Sequence, residues 1–218
     1  MSTDACKVVV LISGNGSNLQ ALIDASAKSN FTVSAVISNK AEALGLQRAQ
    51  AAAITSHVVD HTSYSSREAF DTAVQEIVDQ YRPGLVILAG FMRILSAGFV
   101  NHFSGRLINI HPSLLPKYTG MNTHQRALDA NDTEHGASVH FVTEELDGGP
   151  VIAREVIAIK SDDDADSLRR RVAEAEHRLY PAVVQAIASG RVAMANGQAN
   201  LDGKPLPQSG LGLESLPQ

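Results

Sequence analysis

The chain has 218 residues, 44% of them hydrophobic, which is enough to bury one sizeable core, so we expect a single domain over residues 1–218. A net charge of −5 without a run of Lys and Arg argues against nucleic acid and anionic membranes as partners, and favours small molecules. The first residues lack the layout of a signal peptide, and no apolar stretch reaches about 18 residues, so we expect a cytoplasmic protein. Its oligomeric state is expected to be monomer or homodimer.

Strands alternate with helices over the first half of the chain. A β-branched strand from Lys7 to Ser13 is followed by a glycine turn and a helix with Leu19, Leu22 and Ile23 on one face. Further strands are predicted at 31–38, 56–59, 85–89 and 106–110, and further helices at 43–52 and 66–80. Repeated βα units predict an α/β fold: a Rossmann-like, mostly parallel twisted sheet with helices on both faces.

The alternation changes in the second half of the chain. Strands predicted at 138–143 and 151–159 leave no room for a helix between them, so we expect a C-terminal antiparallel hairpin. A long helix follows at 164–189, and Pro181 should bend it.

The starts of two helices and the end of the chain also carry signals. The spacings of Ser65 with Glu68 and of Ser161 with Asp164 predict capping boxes. The core should span about residues 7–201, and residues 202–218, rich in Gly, Pro, Gln and Ser, should form a loosely held tail.

A glycine turn, Gly14-Asn15-Gly16-Ser17-Asn18, lies between the first strand and the first helix. Glycines allow a tight turn there, and the amides and dipole of a helix N-terminus attract an anion. Leu19 occupies the place of the third glycine of the dinucleotide fingerprint, and no acidic residue ends the second strand, which argues against NAD. The turn therefore indicates a phosphate on a small metabolite, with a purely structural turn as the alternative.

The segment from Leu107 to Pro116 leads an apolar strand into a loop that contains two prolines. Asn109 and His111 are two residues apart, so they point to the same side of the strand, at a strand end of the kind where α/β folds bind ligands. Asp147, followed by two glycines, can be brought close to an imidazole. An amide, an imidazole and a carboxylate suggest acyl-type transfer. A structural histidine and an ordinary turn aspartate are the alternatives.

A short apolar bend, Ala89 to Leu95, follows another predicted strand. It suits the wall of a pocket for a flat aromatic ligand, and ordinary core packing of Met92, Ile94 and Leu95 explains it equally well. Metal ligation is unsupported, because Cys6 is the only cysteine and the eight histidines show no HExxH or comparable spacing. We expect no metal.

Together these motifs resemble those of the folate-dependent phosphoribosylglycinamide formyltransferase family of purine synthesis, over about residues 7–201. The segments that carry the resemblance are 13–18, 89–95, 109–116, 138–142 and 146–150. Thr119 and Asn122 depart from the family, which often has Pro and His at these positions. Neither residue belongs to the expected catalytic cluster.

The resemblance implies roles for particular residues. Those matching the family's catalytic residues are Asn109, His111 and Asp147. Those implied to bind the ribonucleotide substrate are Gly16, Ser17, Asn18 and Glu176. Those implied to meet the folate are Arg67, Met92, Arg93, Ile94, Leu95, Asn109, Thr143, Glu144, Glu145, Leu146 and Asp147. The co-substrate implied is 10-formyltetrahydrofolate, and the acceptor is the amine of phosphoribosylglycinamide.

The resemblance also implies a direct mechanism. The amine attacks the formyl carbon, Asn109 and protonated His111 stabilise the tetrahedral oxyanion, and Asp147 orients His111 and helps to move a proton. Two related enzymes are similar around these residues: methionyl-tRNA formyltransferase, which adds a basic C-terminal domain, and formyltetrahydrofolate hydrolase, which adds an N-terminal regulatory domain. We expect neither addition here. From another class, a non-catalytic module that binds a phosphorylated metabolite or a folate is the alternative.

Overall fold

The computed structural model describes residues 5–217. The chain divides into two compact units, Met1–Ile108 and Asn109–Gln218. The expectation that residues 1–218 form a single domain stays a prediction. None of the helices in the described part of the chain is long and apolar enough to cross a bilayer.

The first unit is built on parallel strands. These are β1 (Cys6–Ile12), β2 (Phe31–Ser38), β3 (Ser56–Val58) and β4 (Leu85–Leu88), in the order β4-β1-β2-β3. The helices are α1 (Ser17–Ser26), α2 (Leu44–Ala51), α3 (Arg67–Tyr81) and α4 (Ala97–His102). Val8 to Ile12 are fully buried. Because successive strand side chains point to opposite faces, β1 must be covered on both faces.

The second unit begins within strand β5 (Leu107–His111), whose last three residues belong to it. The following elements are α5 (Thr123–Asp129), β6 (Glu134–Phe141), β7 (Val151–Ala158), α6 (Ala165–Ala188), β8 (Val192–Ala195), β9 (Gln198–Leu201), β10 (Lys204–Pro205) and β11 (Leu211–Gly212). Strands β6 and β7 are antiparallel. The α/β class with parallel strands and a later antiparallel hairpin is therefore confirmed. Strands β8, β9 and β10 form a separate antiparallel sheet.

Helix α6 buries the apolar stripe predicted for it, which includes Leu168, Val172, Ala175 and Leu179. The helix continues through Pro181 to Ala188. Helices α4 and α5, of six and seven residues, were not predicted. Both are too short for the 3.6-residue period to repeat clearly.

The end of the chain differs from the predicted loosely held tail. Leu211 pairs with Ala153 of β7 in parallel, and Lys204 pairs with Leu201 of β9. Leu216 is buried. These strands have two residues each, so they carry no readable alternation, and pairing with the edges of β7 and β9 holds them in place.

The predicted capping boxes are wrong: α3 has a simple N-cap, and the capping box of α6 lies at other residues. The N-cap of α3 is Ser66, not Ser65, and its hydroxyl accepts a hydrogen bond from the Ala69 amide at 3.1 Å. The capping box of α6 pairs Asp164 with Ser167 rather than Ser161 with Asp164. In both cases the side chain that caps is the one whose backbone is extended directly before the first helical residue.

The α3 cap can be tested with two adjacent serines. We expect Ser66→Ala to lower the free energy of unfolding by about 1 kcal/mol, because the Ala69 amide loses its acceptor. Ser65→Ala is the matched control and should change it by less than about 0.5 kcal/mol. Urea unfolding measures both variants. A larger loss of unfolding free energy in Ser65→Ala than in Ser66→Ala would support Ser65 as the cap, as predicted from the sequence.

Candidate active site

A buried hydroxyl holds the loop that follows β5. Ser138, on β6, donates a hydrogen bond to the carbonyl of Ser113 at 2.7 Å and accepts one from the amide of Leu115 at 3.0 Å. Thr123 donates to the carbonyl of Pro112 at 2.6 Å. The peptide between Leu115 and Pro116 is cis. Through these bonds β6 and the start of α5 fix the backbone that begins at His111.

His111 and Asp147 meet in a nearly buried position. The Nδ1 atom of His111 lies 3.5 Å from Oδ2 of Asp147, and both side chains are 8% exposed. The Nε2 atom of His111 donates a hydrogen bond to the carbonyl of Tyr118 at 2.8 Å. Both ring nitrogens therefore face oxygen atoms, an arrangement that suits a ring carrying two N–H donors.

Asp147 is held in an uncommon backbone conformation. Its φ is +52°, in the left-handed region that aspartate tolerates better than most residues. Its Oδ2 atom accepts a hydrogen bond from the amide of Gly120 at 2.8 Å, and the amide of Gly148 closes the turn onto the carbonyl of Glu145 at 3.1 Å. These contacts keep the carboxylate turned toward His111.

His140 joins Asn109 to Asp147. Its Nδ1 atom donates to the carbonyl of Phe141 at 2.9 Å, so its Nε2 atom is an acceptor in the neutral ring. The amide nitrogen of Asn109 lies 3.3 Å from that Nε2, and Oδ1 of Asp147 lies 3.9 Å from it. Burial lowers the pKa of His140 and so favours the neutral form. The acceptor on His140 therefore sets the direction of the Asn109 amide.

His140 was not predicted as a site residue. The available signal was the alternation from Ser138 to Phe141, in which the polar Ser138 and His140 are separated by apolar residues.

Two further histidines support the loop that contacts His111. His124 and His135 are 3.1 Å apart between Nδ1 and Nε2. Burial is the main cause that lowers the pKa of both, to about 4 for His135. The ring of Tyr118 packs edge-on against His135, and its hydroxyl donates to Asp132 at 2.6 Å. Tyr118 is thereby anchored, and so is the carbonyl that it presents to His111.

The loop implied to meet the folate borders a cavity. Thr143, Glu145 and Asp147 line a space of about 660 Å³ together with Leu115 and Pro150. A volume of that size accommodates a small molecule. Glu144 and Leu146 of the same loop are exposed.

In the first unit, the glycine turn forms the N-terminus of α1. Gly16 is the N-cap with φ +73°, and within the described residues no side chain caps this helix. A Cβ atom on Gly16 would lie 2.6 Å from Cα of Gly45, so the turn packs directly on α2. Arg48 of α2 donates to the carbonyl of Asn15 at 2.9 Å and to its side-chain oxygen at 2.8 Å. The sequence analysis did not identify Arg48 as a residue that holds the glycine turn.

The apolar bend after β4 presents its side chains outward. Met92 is 65% exposed and Ile94 is 57% exposed, which excludes the alternative that both pack in the core. The Arg93 guanidinium lies over the ring of Phe70, 5.2 Å from its centroid. Leu95 is half-buried, and Arg67 is exposed at the start of α3.

Glu176 lies half-buried on α6 in the second unit, one turn before Tyr180. Burial and the charge of Glu176 both raise the pKa of Tyr180.

The structure brings Asn109, His111 and Asp147 together around His140. The glycine turn, Arg67 and the 92–95 bend belong to the first unit, and Glu176 and the 143–147 loop to the second. Within residues 5–217, no group of three or more metal-ligating side chains could hold a metal ion.

The fold and the strand-end cluster define an α/β enzyme with an amide, an imidazole and a carboxylate at one site. A model of the formyl transferase family matches residues 6–184. The chain belongs to the formyl transferase family, and the prediction of a formyltransferase is confirmed.

Individual proteins that are similar to this chain carry more specific names than the family. The chain is 54% identical over 205 residues to a phosphoribosylglycinamide formyltransferase of Escherichia coli, covering 93% of this chain and 97% of the relative. It is 46% identical over 195 residues to the trifunctional purine biosynthetic protein adenosine-3 of Bos taurus, covering 88% of this chain and 19% of that protein. A solved phosphoribosylglycinamide formyltransferase of Coxiella burnetii superposes with a TM-score of 0.93 at 51% identity, covering 96% of this chain and 99% of the other.

Proposed function

We propose that this chain transfers the formyl group of 10-formyltetrahydrofolate to the amine of 5′-phosphoribosylglycinamide, in purine biosynthesis. The observation that carries the proposal is the nearly buried contact between His111 and Asp147, with Asn109 oriented by His140 beside it. This cluster stands in a chain of the formyl transferase family whose close relatives are named for this reaction.

The proposed reaction needs a place for a transient negative charge. The amine nitrogen forms a bond to the formyl carbon, and the formyl oxygen becomes an oxyanion. The Nε2–H of His111, now directed at the Tyr118 carbonyl, and the second N–H of the Asn109 amide are the donors we assign to it. Both donors are already held at the site, and in this scheme the Nε2–H of His111 exchanges the Tyr118 carbonyl for the oxyanion.

Asp147 completes the proposed mechanism. Its carboxylate orients His111 through Nδ1 and helps to remove the proton from the attacking nitrogen. The intermediate then collapses: the bond from the formyl carbon to the folate nitrogen breaks, and that nitrogen takes up the proton that the attacking amine has lost. The formyl group passes directly between the substrates, so no Ser or Cys nucleophile is required.

The ribonucleotide phosphate is assigned to the glycine turn. Gly16, the N-cap of α1, has no side chain with which to cap the helix, and the positive end of the helix dipole attracts an anion. We assign Gly16, Ser17 and Asn18 to the phosphate and Glu176 to the same substrate.

The folate is assigned to exposed and cavity-lining residues. The exposed side chains of Met92 and Ile94 supply apolar surface for a flat ring, and the cavity beside Asp147 supplies room. The full set that we assign to the folate is Arg67, Met92, Arg93, Ile94, Leu95, Asn109, Thr143, Glu144, Glu145, Leu146 and Asp147. We propose that no metal takes part. The small-molecule partners and the cytoplasmic location stay predictions.

A turnover assay with the purified protein tests the proposed function. Ultraviolet absorbance reports the deformylated folate, and we expect it to appear only when both substrates are present, with one formylated ribonucleotide formed per folate. Folate product without the amine substrate would instead indicate a hydrolase. No product under any condition would indicate a binding module.

The phosphate site is tested by two neighbouring glycines. Apart from Gly14 and its two chain neighbours, no described residue has an atom within 4 Å of a Cβ built on Gly14, so Gly14→Val should keep the fold while its added bulk hinders the approach of a phosphate to the turn. We expect a ribonucleotide Kd raised roughly ten-fold or more, with folate binding unchanged, by calorimetry.

Gly16→Val is the comparison variant, and it should lose stability as well, because its Cβ meets Gly45 and its φ is positive. Ribonucleotide binding by Gly14→Val at the wild-type affinity would contradict the assignment.

A further inference from the structure

Three segments of the first unit meet at one buried hydroxyl. Ser13 directly precedes the glycine turn, and its Oγ atom donates a hydrogen bond to Oδ1 of Asn39 at 2.6 Å. The same Oγ accepts a hydrogen bond from the amide of Met92 at 2.8 Å. Ser13 is 6% exposed and Asn39 is 2% exposed. One hydroxyl therefore links the ends of β1 and β2 to the bend that follows β4.

Asn39 is itself fixed from a fourth segment. The Nδ1 atom of His61, in a short 3₁₀ turn, lies 3.1 Å from the carbonyl of Asn39 and 3.2 Å from its amide nitrogen. Asn39 thus presents its side-chain oxygen to Ser13 in one orientation, because its amide nitrogen is directed at His61.

The bend after β4 has another polar contact besides the one with Ser13. At its far end, the amide of Ser96 donates to the buried carboxylate of Asp71 at 2.5 Å. Between these two anchors, Met92 and Ile94 are largely exposed. Loss of the Ser13 hydroxyl would release the polar contact at the near end of this bend.

We propose that Ser13 and Asn39 are positioning residues that hold the glycine turn and the 90–95 bend in one geometry, so that both substrate sites depend on a single hydroxyl. The inference rests on the proposed function, which assigns the turn to the ribonucleotide and the bend to the folate. Neither residue touches a reacting atom in this scheme. Their contacts span 26 and 79 residues of sequence, unlike the local contacts that buried serines make within a turn or helix.

Removal of the hydroxyl leaves the Met92 amide and the buried side-chain oxygen of Asn39 without this partner. In Ser13→Ala, the Met92 amide loses its acceptor and Asn39 Oδ1 loses its donor, which is unfavourable wherever water cannot replace the bond. The bend and the turn would shift to satisfy these groups. Binding should suffer at both sites, while the catalytic cluster, which belongs to the second unit, keeps its geometry.

Steady-state kinetics of Ser13→Ala tests the proposal. We expect the KM values for formyl-folate and for ribonucleotide to rise roughly ten-fold each, with kcat within about three-fold of wild type. Ser13→Thr retains the hydroxyl and should restore both KM values toward wild type. Asn39→Ala, in which the hydroxyl loses its acceptor, should act in the same direction, and it replaces Ser13→Ala if that variant does not fold.

Ser38→Ala is the matched control for the loss of a buried hydroxyl. The Ser38 hydroxyl bonds within its own turn, to Lys40 at 2.8 Å. Ser38→Ala should lower thermal stability without changing either KM. Wild-type KM values in both Ser13→Ala and Asn39→Ala, or a fall in kcat alone, would overturn the inference while leaving the proposed function intact. Absence of formyl transfer by the wild-type protein would overturn both.

Discussion

The proposed chemistry depends on the contact between His111 and Asp147. An imidazole and a carboxylate attract each other strongly only when water is largely excluded and the pair is held in place, and both side chains here are nearly buried. The surrounding second unit supplies the restraint. Ser138 fixes the loop behind His111, and the Gly120 amide fixes the carboxylate.

Neutral histidines support this pair. A charged His140 would lose the acceptor that orients Asn109. Burial keeps its pKa low, and it does the same for His124 and His135 beneath Tyr118. The structure therefore surrounds one proposed catalytic histidine with three that act through hydrogen bonds and packing rather than through charge.

Long elements with a clear period could be predicted from the sequence. Strand β2 has the bounds predicted for it, because a run of alternating β-branched residues ends in polar residues on both sides. Strands β10 and β11 could not be predicted, since two residues have no period and their pairing is set by the edges of β9 and β7. The α3 cap was misplaced by one residue because the spacing of Ser65 with Glu68 matches a capping box, whereas the backbone places Ser66 at the N-cap.

The candidate site also contains residues that could be predicted from the sequence and residues that could not. Asn109 and His111 could be paired from local spacing, Asp147 could be joined to them from its flexible turn, and the family resemblance implied that all three are catalytic. The contact of His140 with Asn109 joins residues 31 apart, and that of Ser13 with Met92 joins residues 79 apart. Such contacts depend on how strands pair, which local sequence does not determine. For this reason the groups that would react could be predicted, and the groups that hold them could not.

The central claim is that His111 and Asp147 act as one unit on the transition state. The most direct measurement is kcat for wild type, His111→Ala, Asp147→Asn and the double variant. We expect each single variant to lose roughly 100-fold or more, and the double variant to lose far less than the product of the two single losses. Losses that multiply, or single variants that turn over at nearly the wild-type rate, would contradict the claim.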